Sequence, residues 1–178
     1  MVFKDKDFQE ILIRISPTIL GVKPAEILNV KLGSLDKCRR CFQGLGEFEF
    51  IEIKDFPNIS RRQLFFYHKT CLEEVLTQKA IQKFLQQLGY PFSFNMELYL
   101  DILIAKLQSC IFPHEIGVFL GYPLKDVLGY MGLTSLKLVD VKGWQYYGNG
   151  NLSILQYKKF CKAREVFRCF LEKGIFEV

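Results

Sequence analysis

Cysteine, histidine and tryptophan are scarce in this chain of 178 residues, which has six cysteines, two histidines and one tryptophan. Six cysteines are too few for a domain held together by disulfides, so in a reducing cytoplasm we expect free thiols, metal ligands or redox groups. No apolar run approaches the roughly 20 residues that span a bilayer, and the charged N-terminal segment lacks the apolar stretch of a signal peptide. The sequence therefore predicts a cytoplasmic protein with no membrane span.

Several catalytic motifs are also missing. The sequence contains no serine nucleophile elbow, no phosphate loop and no dinucleotide fingerprint. A His-Glu-x-x-His metalloprotease motif is excluded because its second histidine would fall at Val118. The net charge is +5, but Lys and Arg are spread along the chain, and their densest cluster is only Lys37, Arg39 and Arg40. The charge pattern therefore does not favour nucleic acid as a partner.

The chain has enough apolar residues for a core. Hydrophobic residues make up 49% of it, charged residues 24% and aromatic residues 15%. This composition excludes intrinsic disorder. A chain of about 150 residues buries roughly 70% of its unfolded surface on folding. We therefore expect one domain over residues 1–178.

Apolar residues at helical spacing predict helices over residues 7–16, 70–88, 95–109, 114–120, 124–131 and 152–173. Pro17 should end the first of them. Thr70 and Glu73 match a capping box, and either Ser93 or Asn95 suits the start of the third helix. Three of the helix boundaries thus have candidate residues with a physical role.

Alternating apolar residues predict strands over residues 29–32, 48–53, 63–68 and 136–147. The second and third of these should pair as an antiparallel hairpin. A short turn is predicted over 25–28 and a loop over 33–46. The predicted fold class is α+β, with a small antiparallel sheet packed against several helices in a single domain.

Two pairs of metal-ligand side chains flank the predicted hairpin. Cys38 and Cys41 precede it, and His68 and Cys71 lie at its far end. Three thiolates and one imidazole form a ligand set of structural zinc sites. Two other interpretations stay open: a Cys-x-x-Cys redox pair, or unligated cysteines, with Cys71 as a small buried apolar residue.

A second group of polar residues lies between Cys110 and Gly117. Pro113 should begin a helix, which places His114 and Glu115 in its first turn, where exposed amides favour a carboxylate. A neutral imidazole can act as a base, a metal ligand or a haem ligand. The alternative is that His114 and Glu115 only cap and brace the helix.

Aromatic residues cluster near the predicted strand 136–147. Trp144, Tyr146 and Tyr147 lie within it, and Tyr122 and Tyr130 precede it. Such rings can stack on a flat ligand. Aromatic residues in a strand are also typical of a core.

Residues 112–127, Phe-Pro-His-Glu-Ile-Gly-Val-Phe-Leu-Gly-Tyr-Pro-Leu-Lys-Asp-Val, resemble the signature of an uncharacterised family of small proteins, mostly from anaerobic Firmicutes. That family is known only as a domain of unknown function. The resemblance extends over nearly the whole chain, through residues 16–24, 88–91, 142–148 and 156–161. Ser16 stands where the family has a cysteine. The resemblance implies iron, haem or redox physiology and does not include the cysteine and histidine set described above.

Two functions follow as hypotheses. In the first, the protein binds a small ligand or cofactor through His114 and Glu115, with Tyr122 and Trp144 as the wall of the site and Cys110 as a further candidate. Zinc, iron and haem are the candidate cofactors. In the second, it is a non-enzymatic module that binds a protein partner or forms a homodimer, and any zinc is structural. Whether the chain is an enzyme stays open.

Overall fold

The computed structural model describes residues 5–174 and confirms the predicted α+β class. Its helices are α1 (Lys6–Ile19), α2 (Leu35–Phe42), α3 (Lys69–Leu76), α4 (Lys79–Gln87), α5 (Met96–Gln108), α6 (Ile116–Phe119), α7 (Leu124–Tyr130) and α8 (Asn151–Glu172). Its strands are β1 (Ala25–Lys31), β2 (Phe48–Phe56), β3 (Arg61–His68), β4 (Leu138–Lys142) and β5 (Trp144–Tyr147). Within residues 5–174, no helix has both the length and the apolar character needed to cross a membrane.

The chain divides into two compact units by the contacts between its Cα atoms. The first unit comprises Met1–Thr70 and Lys159–Val178, and the second comprises Cys71–Lys158. A three-stranded sheet belongs to the first unit, and a two-stranded sheet belongs to the second. One domain over residues 1–178 stays a prediction.

In the first unit, β3 is the central strand and pairs antiparallel with both β1 and β2. The hairpin of β2 and β3 confirms the predicted pairing of residues 48–53 with 63–68. Helix α1 packs against β1 and β3. It buries Phe8, Leu12 and Ile15, because their spacing places them on one face of the helix.

Helix α1 continues through Pro17 to Ile19, so the prediction that Pro17 ends it is wrong. A proline inside a helix leaves the carbonyl four residues earlier without its usual amide donor. Here the hydroxyl of Ser16 donates to the carbonyl of Ile13 at 2.8 Å. The side chain of Ser16 thereby replaces the hydrogen bond that Pro17 cannot make.

Residues 33–46 contain helix α2, so the prediction of a loop there is wrong. Its buried residues, Leu35, Cys38 and Phe42, lie three and four positions apart, and the charged residues between them weaken the pattern in the sequence. The turn predicted over 25–28 is also wrong, since β1 begins at Ala25 and pairs with β3 along its whole length.

The helix predicted over residues 70–88 is two helices, α3 and α4. The chain leaves helical geometry at Gln78, whose φ and ψ are −64° and 125°. The predicted capping box is wrong as well, because Thr70 donates its hydroxyl and its amide to Glu47 Oε2, at 2.6 and 3.3 Å. A carboxylate distant in sequence thus takes the role predicted for Glu73.

The second unit contains the helices and the hairpin that form the candidate site. Helix α5 begins at the predicted cap Asn95, whose side chain accepts a hydrogen bond from the amide of Leu98 at 2.9 Å. The strand predicted over 136–147 is a hairpin, because the chain reverses at Gly143 with a φ of 76° and β5 pairs antiparallel with β4. Helices α6 and α7 pack together, and α7 packs on β5.

Candidate functional site

A cavity of about 290 Å³ lies in the second unit, where α6, α7 and β5 meet. Its lining is mostly apolar and includes Ile116, Leu120 and Val127. Three of the residues singled out in the sequence also line it: His114, Tyr122 and Trp144. The fold therefore brings together side chains that are up to 30 positions apart in the sequence.

Two glycines allow the elements around the cavity to approach closely. A Cβ atom on Gly117 of α6 would lie 2.7 Å from Cγ2 of Val127 on α7. A Cβ atom on Gly129 would lie 2.3 Å from Cγ of Tyr147 on β5. Any larger residue at either position would push the walls of the cavity apart. A glycine inside a helical pattern, as at Gly129, is the sequence signal for such a contact.

Stacked aromatic rings form one wall of the cavity. The rings of Tyr122 and Trp144 are nearly parallel, with centroids 4.4 Å apart and planes inclined by 15°. Tyr146 and Tyr157 contact Trp144 with centroid distances of 5.1 and 6.1 Å. These contacts restrain the indole ring, so the wall is formed before any ligand arrives.

A second set of rings surrounds His114. The imidazole meets the ring of Tyr130 edge to face, with centroids 5.2 Å apart, and the ring of Phe112 at 5.9 Å. Tyr130 and Phe112 are about half exposed, at 52% and 49%. Within the described part of the chain, neither ring nitrogen of His114 has a hydrogen-bond partner. Both nitrogens are therefore available to a ligand.

Asp126 is the hydrogen-bonding centre of the site and was not identified from the sequence. Its Oδ1 accepts from Lys125 Nζ at 2.6 Å and from the Tyr147 amide at 2.8 Å. Its Oδ2 accepts from Trp144 Nε1 at 2.9 Å and from Ser153 Oγ at 2.5 Å. The carboxylate thereby ties α7 to β5 and α8 and holds the indole ring in place.

The environment of Asp126 favours its charged form. Burial raises the pKa of this carboxyl, but the hydrogen bonds from Lys125, Ser153, Tyr147 and Trp144 together outweigh burial and bring the pKa below its usual value. Because each oxygen already accepts two hydrogen bonds, Asp126 positions Trp144 and has no lone pair left to act as a base. In the sequence it looks like any acidic residue in the first turn of a helix.

Gln145 is a further polar residue of the cavity that the sequence pattern does not reveal. Its Oε1 accepts a hydrogen bond from the hydroxyl of Tyr147 at 2.6 Å, which fixes the orientation of the amide. Its Nε2 has no partner among residues 5–174 and remains able to donate. A glutamine between aromatic residues in a strand gives no signal of this role.

The sequence model of a family described as "Protein of unknown function (DUF3793)" matches residues 11–177. The chain belongs to the DUF3793 family. The predicted membership in a family of unknown function is therefore confirmed. No curated protein and no solved structure matches the chain. Since the family description assigns no activity, the function of this DUF3793 chain is argued from its cavity.

Glu115 does not line the cavity, although it follows His114 directly. The side chain is buried, and its Oε1 accepts from Lys106 Nζ at 2.6 Å and from the hydroxyl of Tyr90 at 3.3 Å. Burial, together with the negative charge of Glu115, raises the pKa of Tyr90 above its usual value. Glu115 therefore braces α5 against the start of α6. Cys110 is exposed and is not among the cavity residues either.

The predicted zinc ligands lie in different surroundings. Cys38 is buried in the core of the first unit, and burial, with a smaller effect of Cys41, raises the pKa of its thiol to about 12. Burial also raises the pKa of Cys71. The imidazole of His68 lies beside Gly21. Among residues 5–174, no three His, Cys, Asp or Glu side chains form a group that could hold a metal. Burial favours thiols over the thiolates that zinc binds, and the zinc site stays a prediction.

Proposed function

We propose that this protein binds a small, flat and largely apolar ligand in the cavity between the Tyr122–Trp144 wall and His114. The observation that carries the proposal is the convergence of these three side chains on one cavity of about 290 Å³. Binding sites for small molecules are typically concave and apolar, with a few polar groups that orient the ligand. The cavity has this composition, and His114 and Gln145 are polar groups of its lining that can orient a ligand.

The size of the cavity limits the ligand. Sites for drug-sized molecules have volumes of about 300–1,000 Å³, so this cavity suits a compound of one or two rings. A haem macrocycle, with its four pyrrole rings, exceeds that size. Iron would need more ligands than the single imidazole of His114, and no metal-binding group of three side chains includes it within the described residues. We therefore favour a small organic ligand over haem or iron.

Trp144 provides a direct test, because it is the one tryptophan of the chain. A nitrogen–proton correlation spectrum will contain a single indole signal, from the N–H that donates to Asp126. We expect titration with quinoline or acetophenone to move this signal saturably. If neither compound moves it, the proposed function is wrong.

Replacing His114 with alanine is expected to weaken binding of the same compounds about tenfold or more, which is the loss of one hydrogen bond and one ring contact. The indole signal of the unliganded variant should stay in place, because His114 makes no hydrogen bond within the described structure. Phe92→Ala is the matched control, since Phe92 is 84% exposed and lies outside the cavity. Wild-type affinity in the His114 variant would contradict the proposal.

A second candidate function is homodimerisation, and one observation favours it. Strand β4 is an edge of the two-stranded sheet, and its apolar residues Leu138 and Val141 are 50% and 60% exposed. A two-stranded sheet is marginally stable alone, and an open edge is a template for pairing with another chain. A second copy of β4 would extend the sheet to four strands.

Sedimentation of the wild type and of Val141→Lys tests this alternative. If β4 pairs with its copy, the wild type will sediment as a dimer at micromolar concentration and Val141→Lys as a monomer. Ile59→Lys is the control, because Ile59 is similarly exposed, at 57%, but lies outside the hairpin of β4 and β5. A monomeric wild type rules out this dimer.

A further inference from the structure

The charge and hydrogen-bonding capacity of the cavity restrict the chemistry of its ligand. Two of its polar groups cannot contact a ligand, because Asp126 and the indole N–H of Trp144 are already paired with each other and with their neighbours. No lysine or arginine is among the residues that line the cavity. A bound ammonium group would therefore find no free carboxylate, and a bound carboxylate would find no side chain of fixed positive charge.

The polar side chains of Gln145 and His114 favour a ligand that carries a hydrogen-bond acceptor. Gln145 offers a donor, because its oxygen already accepts from the hydroxyl of Tyr147 at 2.6 Å while its Nε2 has no partner among residues 5–174. His114 presents an imidazole whose N–H can donate as well. Both side chains line the same cavity as Trp144.

We infer that the ligand is an uncharged aromatic compound whose carbonyl or phenolic oxygen accepts a hydrogen bond from Gln145 Nε2. This inference rests on the proposed function and specifies its ligand class. The ring of the compound occupies the apolar space beside Trp144, and the oxygen is directed to Gln145. An oxygen acceptor satisfies this donor, whereas a hydrocarbon that covers it leaves the donor without a partner.

Four compounds of nearly the same shape test this class: ethylbenzene, acetophenone, benzoate and α-methylbenzylammonium. We expect acetophenone to bind the wild type about tenfold more tightly than ethylbenzene, which is the effect of one hydrogen bond. Benzoate should bind more weakly than acetophenone, and the ammonium compound should not bind. The indole signal of Trp144 reports each titration.

The variant Gln145→Leu tests whether Gln145 Nε2 causes the preference for acetophenone over ethylbenzene. In this variant the preference for acetophenone over ethylbenzene should fall well below tenfold, because the donor of Gln145 is gone and the apolar space is kept. Gln156→Leu is the matched control, since Gln156 belongs to the same unit but not to this cavity. It should keep the tenfold preference.

The outcomes separate this inference from the proposed function. If acetophenone and ethylbenzene bind the wild type equally, or if the charged compounds bind best, the ligand class is wrong and the cavity still binds aromatic compounds. If Gln145→Leu keeps the preference for acetophenone, Gln145 is not the donor. If no compound moves the indole signal, both the inference and the proposed function fail.

Discussion

Replacing Asp126 with asparagine is expected to lower the free energy of unfolding by about 3 kcal/mol, as for the loss of one partner of a buried ion pair. The carboxylate accepts hydrogen bonds from Lys125, Tyr147, Trp144 and Ser153. An amide group offers one accepting oxygen, and its nitrogen would face donors that it cannot satisfy. Denaturant unfolding of the two proteins measures the difference.

The substitution Asp126→Asn should also change the environment of Trp144 in the cavity wall. Because the indole N–H of Trp144 donates to Asp126 at 2.9 Å, its signal should shift in Asp126→Asn even without ligand. Asp140→Asn is the matched control, since Asp140 is an aspartate of β4 with a more exposed side chain, paired with Lys142 at 3.0 Å. That control should change stability little and leave the indole signal in place. Equal losses in both variants would contradict the central role of Asp126.

The stabilisation by Asp126 should depend on pH in a defined direction. Its hydrogen bonds bring the pKa of the folded protein below the usual value, despite burial. A carboxyl group with a lowered folded pKa contributes its full stabilisation above the unfolded pKa of about 3.9. This contribution is lost as the pH falls from that value toward the folded pKa. The difference between the wild type and Asp126→Asn should therefore be constant near neutral pH and shrink below about pH 4.

The second large effect is expected at Glu26 in the first unit. Lys23 is almost completely buried, and its Nζ lies 2.7 Å from Glu26 Oε2 and 5.3 Å from the centre of the Phe160 ring. Glu26→Gln removes this counter-ion and leaves a buried ammonium group without its carboxylate. We expect the free energy of unfolding to fall by about 3 kcal/mol at neutral pH.

The deficit of Glu26→Gln should shrink as the pH rises. Burial lowers the pKa of Lys23 below its usual value, although Glu26 opposes the shift. In the alkaline range the unfolded state therefore binds more protons at this position than the folded state, and stability rises with pH between the folded and unfolded pKa values. Once Lys23 is neutral in the folded protein, it no longer needs a counter-ion.

Measuring the free energy of unfolding of both proteins between neutral pH and about pH 10 tests whether this deficit shrinks as the pH rises. Asp7→Asn is the control, because Asp7 pairs with Lys31 at 2.8 Å and both side chains are more than half exposed. Its effect should be small at every pH. A deficit of Glu26→Gln that is the same throughout the range would mean that the charge of Lys23 does not cause it.

The sequence by itself determined the α+β class, most of the helices and the β2–β3 hairpin. These features depend on local patterns: the spacing of Phe8, Leu12 and Ile15, or the cap at Asn95, involves residues within one or two helical turns. The sequence also singled out His114, Tyr122 and Trp144 by their residue types. It could not place them on one cavity, because no local pattern reports a contact between α6 and β5.

Only the tertiary structure decided which polar residues have partners. Glu115 and Asp126 look alike in the sequence, as acidic residues at the start of a short helix. The fold pairs Glu115 with Lys106 and Tyr90 outside the cavity, whereas Asp126 fixes the indole ring of Trp144 in the cavity wall. These hydrogen bonds join residues 9 to 27 positions apart. Propensity and periodicity act over a few residues, so only the packed chain determines which donors meet which acceptors.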